Sequence, residues 1–276
     1  MKRKCSSLLA GAGFASSLLI SAPALAQVLG TASNFAVLGH TPNVSNVGPS
    51  VVTGSVGIDA AAAIIGFPPG IIVPGTGSFQ AANAVALQAQ NDNTAAFGVL
   101  TGLASAAIPA ALGGQTLGPG VYRPLVGDFN LTGTLHLTVP GLYVFQTPGA
   151  LITSAGGTAS VDLGTASPCD VWWTVVSSAT IDTGAVMAGN ILASTSIVIK
   201  TGASLQGRAL VQTGTVTLDT NAVTACTGGT AAGFIVPALA GGVAAGAIPT
   251  LSEWGMIILA ALLALFGFAA VRRQAR

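Results

Sequence analysis

One phrase occurs three times between residues 179 and 224: Ile181-Asp182-Thr183-Gly184-Ala185, Ile199-Lys200-Thr201-Gly202-Ala203 and Leu218-Asp219-Thr220-Asn221-Ala222. The copies start 18 and 19 residues apart, and Gly189 and Gly207 keep step with the first two. A period this short does not suit a helical hairpin repeat or a propeller blade. It suits one turn of a β-solenoid, in which each coil stacks on the one before. Equivalent positions then form ladders spaced roughly 4.7–4.8 Å, the distance between neighbouring strands. If Ile181, Ile199 and Leu218 point inward, then Thr180, Val198 and Thr217 point outward. So do Asp182, Lys200 and Asp219, whose alternating signs make a favourable solvated ladder. Strict alternation sends Thr183, Thr201 and Thr220 inward, whereas a turn at Gly184, Gly202 and Asn221 places them at a corner. Two roles stay open for these threonines: satisfying backbone groups at the corner, or opening the next flat face.

Charged residues make up 6% of the chain and aromatics 5%, while Gly and Ala abound. Such a chain stabilises itself by close stacking of small and β-branched side chains, and its apolar content argues against disorder. Both ends read as targeting segments. Residues 1–26 carry Lys2, Arg3 and Lys4, an apolar stretch from Leu8 to Ile20 and the small-residue end Ala24-Leu25-Ala26. This is a secretory signal peptide, cleaved before Gln27. At the other end, Trp254 to Val271 is an 18-residue uncharged run followed by Arg272, Arg273 and Arg276. At ~1.5 Å per residue it nearly crosses a ~30 Å hydrocarbon core, with the arginines kept on the cytoplasmic side.

The mature body, residues 27–227, carries Arg123, Lys200 and Arg208 against seven Asp, a net charge of −4. That is too little positive charge for nucleic acid. Cys169 and Cys226 remain after Cys5 leaves with the leader, an even pair suited to a disulfide in an oxidising compartment. Two Cys without clustered His cannot make a tetrahedral metal site, and no cofactor is implied.

Short Val/Ile runs between turn residues fill positions 28–75. Phe79 to Leu103 is Ala-, Gln- and Leu-rich, with Phe79, Ala82, Ala86, Ala89, Asn93 and Phe97 at helical spacing and Ser78 as N-cap. From Leu117 strands return, including one across Leu131–Val139, with 155–170 read as a Gly/Ser-rich loop reaching Cys169. Residues 228–247 are a Gly/Ala-rich linker. Catalysis needs convergent titratable groups. The mature body has only His40, read as a loop residue, and His136, read as outward and solvated, and no Glu. The chain is therefore read as no enzyme. Trp172-Trp173 reads as one core residue and one partly covered one, since strand neighbours face opposite ways.

Local phrases across almost all of 28–225 resemble the bacterial and fungal ice-binding-like β-solenoid family. They include Leu29-Gly30-Thr31-Ala32-Ser33-Asn34-Phe35-Ala36-Val37-Leu38, Gly66-Phe67-Pro68-Pro69-Gly70, Leu117-Gly118-Pro119-Gly120-Val121-Tyr122 and Gly189-Asn190-Ile191-Leu192-Ala193. The resemblance implies a discontinuous right-handed β-helix of triangular cross-section with the helix packed alongside. It also implies adsorption to an ice crystal surface, antifreeze or recrystallisation-inhibiting, without catalysis. Some members of that family carry Thr-(Ala/Gly)-x-(Thr/Asn) on the ice face. The corresponding stretches here place Thr183, Ala185, Thr201, Ala203, Ser204, Thr220 and Asn221 on the candidate face. They depart from the pattern at the fourth position, occupied by Val186, Ser204 and Val223, and at Asn221. A structural or adhesive surface protein on the same scaffold is the alternative.

Ile248-Pro249-Thr250-Leu251-Ser252-Glu253-Trp254-Gly255, with the apolar run and basic tail behind it, resembles the IPTL-type sorting signal of Gram-negative bacteria. The resemblance implies an exosortase-like enzyme as partner, cleavage, and delivery to the cell surface or extracellular matrix. A permanent single-pass anchor is the alternative.

Overall fold

The computed structural model describes residues 28–60 and 63–227. All of them lie in the first of two units into which the chain divides, Met1–Ala232. The leader, the linker 228–247, the sorting motif and the expected membrane helix 254–271 fall outside the described residues. Among those described, no helix is long and apolar enough to cross a membrane.

The fold is mostly β, built of parallel strands with one long helix. One coil shows why. The strand Ala179–Ile181 ends at a turn through Thr183 and Gly184, Val186–Ala193 follows, and a second turn at Ser194–Thr195 leads to Ile197–Ile199 in the next coil. Ile181, Ile199 and Leu218 stack in register and are wholly buried, as are Ala179, Ile197 and Val216. Each of the buried Ile, Leu and Val side chains contributes about 1.5–3 kcal/mol.

Two sheets result. One holds seven strands in the order Phe129–Leu131, Leu151–Thr153, Ala179–Ile181, Ile197–Ile199, Val216–Asp219, Asn43–Val47 and Ala63–Ile65. The other holds fifteen and is creased where Val186–Ala193 and Ser204–Val211 pass through Gly189 (φ 109°) and Gly207 (φ 152°). An added Cβ at Gly207 would run into the Gly189 carbonyl, so the crease admits only glycine. Before the crease these strands pair with Ser160 and with Ala222–Thr224; after it they pair with Trp172–Val175 and with Val37 and Leu38. Each coil thus presents three flat runs.

One run is covered by helix α1, Ala84–Thr101, which lies on Phe35–Gly39, Ser55–Ile58, Tyr143–Thr147 and Val171–Val175. The helix begins later than its composition suggests. Phe79–Ala81 is a strand paired with Ser55–Ile58, Ala82 takes φ 48°, and Asn83 rather than Ser78 caps the helix by accepting from the Ala86 amide. Its buried side is Ala86, Ala89, Gln90, Asn93, Ala96 and Leu100, so Phe79, Ala82 and Phe97 do not belong to it. The amide nitrogens of Gln90 and Asn93 donate to the Val211 carbonyl at 2.8 and 3.0 Å, which satisfies their buried donors. Gln146 donates to the Leu100 and Leu103 carbonyls and closes the other end.

Two further expectations change. The stretch Leu131–Val139 is two strands in different sheets, broken at Gly133 (φ 88°). The presumed loop at 155–170 contains a strand, Ser160–Asp162, that pairs with Thr134–Leu137. Both Trp172 and Trp173 are buried; Trp173 stacks on Phe145 with centroids 4.2 Å apart and donates to the Ala188 carbonyl.

The N-terminal strands do not start the stack. Phe35–Gly39 pairs with Ser204–Val211, Asn43–Val47 with Val216–Asp219, and Val51–Thr53 with Ala222–Thr224, so the two ends of the domain meet in mid-stack. Arg208 ties that seam. It is 5% exposed and donates to the Ser33 carbonyl through Nε (3.0 Å) and Nη2 (2.7 Å), to the Cys226 carbonyl (2.9 Å) and to Asn190 Oδ1 (2.9 Å). Burial lowers its pKa to about 10, which leaves it charged at neutral pH. Beside it Cys169 and Cys226 form a disulfide with Cα atoms 5.4 Å apart.

Candidate functional site

The seven candidate face residues do not share one face. Thr183, Thr201 and Thr220 are exposed and stack along a corner between the seven-stranded sheet and the second open run. Of the two arrangements open from sequence, the corner is the one found, with Gly184 and Gly202 at φ 72° and 71°. Ala185 and Ala203 follow the turn and point inward, fully buried. Ser204 lies beyond them, half-buried and outward on the second open run.

The third coil corrects the sequence alignment. Leu218 pairs with Ile199, yet Ala222 pairs with Ser204, so this turn is one residue shorter than the one before. Thr220 itself takes the left-handed conformation, φ 53°, where the other coils use glycine. Asn221 therefore takes the inward place of Ala185 and Ala203 and is 3% exposed. It donates to the Lys200 and Ala203 carbonyls at 2.8 and 3.1 Å and accepts from the Asp219 amide at 2.6 Å. Ala185, Ala203 and Asn221 are interior residues, and Val223, paired with Leu205, is one too.

Two of the three corner hydroxyls are also engaged. Thr201 Oγ1 donates to Asp219 Oδ2 at 2.5 Å, and Thr220 Oγ1 donates to Asp219 Oδ1 at 3.0 Å. A hydroxyl committed to a carboxylate is less available to an external surface.

The regular surface lies on the seven-stranded sheet. Its central outward column runs Asn130, Ile152, Thr180, Val198, Thr217, Ser45, Ile65 through unbroken register. Two residues back along each strand stand Ser178, Ser196, Thr215 and Asn43, half-buried in the same manner. Over these four central coils both columns are small and uncharged. Two residues forward comes the charged row: Asp182, Lys200 and Asp219, then Val47. Lys200 Nζ lies 2.8 Å from Asp182 Oδ2. The Lys200 hydrogen bond holds the Asp182 carboxyl below the usual carboxylate range, helped by the Thr183 amide. Sequence alternation already turned Thr180, Val198 and Thr217 outward. The repeated spelling of the neighbouring phrase is imposed by the turn.

The second open run is less even. Val186, Val51 and Ile71 protrude from its first column at 47%, 40% and 50% exposure, around Ser204 and Ala222. Its next column carries an exposed His136, whose Nδ1 lies 3.0 Å from Asp162 Oδ2 in the following coil. The Gly164 amide, then His136, lower the Asp162 pKa. His40 forms a similar pair with Asp59 at 2.7 Å. Two clefts among the described residues, of about 630 and 350 Å³, are lined by neither histidine. Among the described residues no group of three or more His, Cys, Asp or Glu is placed to hold a metal.

Comparison with known proteins agrees with this architecture. The profile of the ice-binding-like family matches residues 37–224, and that of the IPTL-CTERM motif matches residues 247–273. An ice-binding protein of Nostoc sp. strain HG1 is 42% identical over 234 residues, covering 81% of this chain and 83% of that one. The crystal structure of an ice-binding protein from the Antarctic ascomycete Antarctomyces psychrotrophicus superposes with a TM-score of 0.64 at 35% identity, over 71% of this chain and 96% of that one. An ice-binding protein domain of Shewanella frigidimarina also gives 0.64, at 27% identity, over 72% and 96%. With the family profile spanning most of its length and these relatives covering most of theirs, the chain belongs to the ice-binding-like family.

Proposed function

We propose that this protein adsorbs to ice through its seven-stranded face and does so without catalysis. The observation that carries the reading is the pair of uncharged columns, Ser178–Ser196–Thr215–Asn43 and Thr180–Val198–Thr217–Ser45, in unbroken register over four coils. Strand spacing sets a grid of roughly 4.7–4.8 Å across the coils and roughly 6.6 Å between alternate residues along a strand. Methyl groups on such a grid order the first water layer, and hydroxyls anchor that layer to the protein. The rigid stack keeps the grid flat. The names of the relatives support ice as the ligand. The coil geometry supports a right-handed solenoid of triangular cross-section.

Export and sorting complete the reading: leader 1–26, recognition of Ile248-Pro249-Thr250-Leu251 and Trp254-Gly255 by an exosortase-like membrane enzyme, and release to the cell surface of a Gram-negative host. Substituting Pro249 or Trp254 should leave a full-length form in the inner membrane. Wild-type protein recovered from the surface with its C-terminus intact would sink the cleavage step.

For the face itself, Thr180→Tyr plants a bulky ring between Ile152 and Val198 without touching the interior. Ice shaping and recrystallisation inhibition should be lost while the melting temperature stays within ~0.5 kcal/mol of the parent in stability terms. Retained activity in the folded variant would move the site elsewhere. No activity in the parent would favour the adhesive reading of the same scaffold.

A further inference from the structure

Resting on the seven-stranded face as the adsorbing one, we propose that the Asp182–Lys200–Asp219 row sets the width of that face and so limits its affinity for ice. The row occupies the third outward column of the same sheet, immediately beside Thr180, Val198 and Thr217, and it spans the middle of the stack. Past it the column turns apolar at Val47, which pairs with Asp219 and is 63% exposed.

A charged group holds its hydration shell radially and resists giving it up, so it opposes transfer into an ordered, ion-free water layer. Pairing reduces this but does not remove it. Lys200 reaches one coil back to Asp182 and leaves Asp219 as the uncompensated charge of the row. Asp219 in turn accepts from the hydroxyls of Thr201 and Thr220. The row therefore bounds the face twice: it places charge in the third column and it draws the corner hydroxyls away from the surface. A face two columns wide at its centre becomes three columns wide, and continuous with the threonine corner, once the charges are gone.

The test uses two neutral triples of the full chain in an ice-recrystallisation assay. D182S/K200T/D219S shortens and neutralises the row. D182N/K200Q/D219N removes the charge but keeps acceptors for the Thr183 amide and the corner hydroxyls, so it holds the fold if the first variant does not. The expected result is inhibition at severalfold lower protein concentration than the parent, at parental circular dichroism and melting temperature. Equal or weaker inhibition by a folded neutral triple overturns the proposal. Thr180→Tyr in the same assay reports on the face alone. If it stays active, the face reading falls and this one with it; if it is inactive and the triples gain nothing, only the boundary role falls.

Discussion

The two open runs of the solenoid are made by the same coils, yet only one is regular. On the seven-stranded face, successive paired residues are 22, 28, 18 and 19 positions apart, from Phe129 to Leu151, Ala179, Ile197 and Val216, and the register never slips. On the second open run, Ser160–Asp162 pairs with the preceding coil over three residues but meets the following one through a single pair, Ser160 with Val186. The surplus of the 28-residue coil enters around Gly156 and Gly157 at the threonine corner and between Leu163 and Asp170, and the seven-stranded face receives none of it. Evenness is thus a property of where a coil absorbs its extra residues. It is not a property of the period.

Four variants press on this contrast. Ala203→Asp places a carboxylate inside the stack behind both faces, where an uncompensated buried charge costs about 3–5 kcal/mol; cooperative unfolding should be lost or the melting point should collapse. A parental melting curve would show that the interior assignment of this column is wrong. Replacing Cys169 and Cys226 by Ser should cost about 2–4 kcal/mol, seen as a lower melting temperature, while ice activity persists wherever the protein stays folded, because neither cysteine belongs to the seven-stranded sheet. Thiol titration of the denatured, unreduced parent should find neither cysteine free.

Thr220→Gly acts on the short turn. A β-branched residue at φ 53° is strained by about 1–2 kcal/mol relative to glycine, so the variant should melt higher, less what the lost hydrogen bond to Asp219 contributes. A lower melting temperature would mean that the hydroxyl matters more than the backbone. The smallest expected effect is that of Ser204→Arg. It falls on the uneven run, so ice activity should survive and stability should change by under ~0.5 kcal/mol. If Ser204→Arg abolishes activity and Thr180→Tyr does not, the two faces exchange roles.

Much of this was legible in the residues themselves. The ladder Ile181–Ile199–Leu218, the outward Thr180–Val198–Thr217 and the alternating charges all follow from period-two alternation on an 18-residue repeat. The helix was visible as an Ala-rich stretch, though not its start, because Phe79–Ala81 has the composition of a helix and is held as a strand by pairing with Ser55–Ile58. The shortened third turn escaped because Thr220-Asn221 reads like Thr-Gly in spelling, and only the register on both sides reveals the missing residue. Arg208 could be read as a surface charge until the seam it closes was placed around it. Its partners, Ser33 and Cys226, come from opposite ends of the domain, and no local pattern joins them.

That seam bears on how the protein is made. Phe35–Gly39 emerges early from the ribosome, but its strand partner Ser204–Val211 follows some 170 residues later. Vectorial synthesis therefore cannot zip the coils one by one from the N-terminus. The early strands can pair among themselves, Phe35–Gly39 with Ser55–Ile58 and Asn43–Val47 with Ala63–Ile65, but their other edge must wait open until nearly the whole domain has been delivered, and contacts so distant in sequence make folding slow. On the proposed export route this delay is an advantage: the chain stays threadable while it crosses the membrane, and the stack closes on the far side, when the last coil arrives to receive the first.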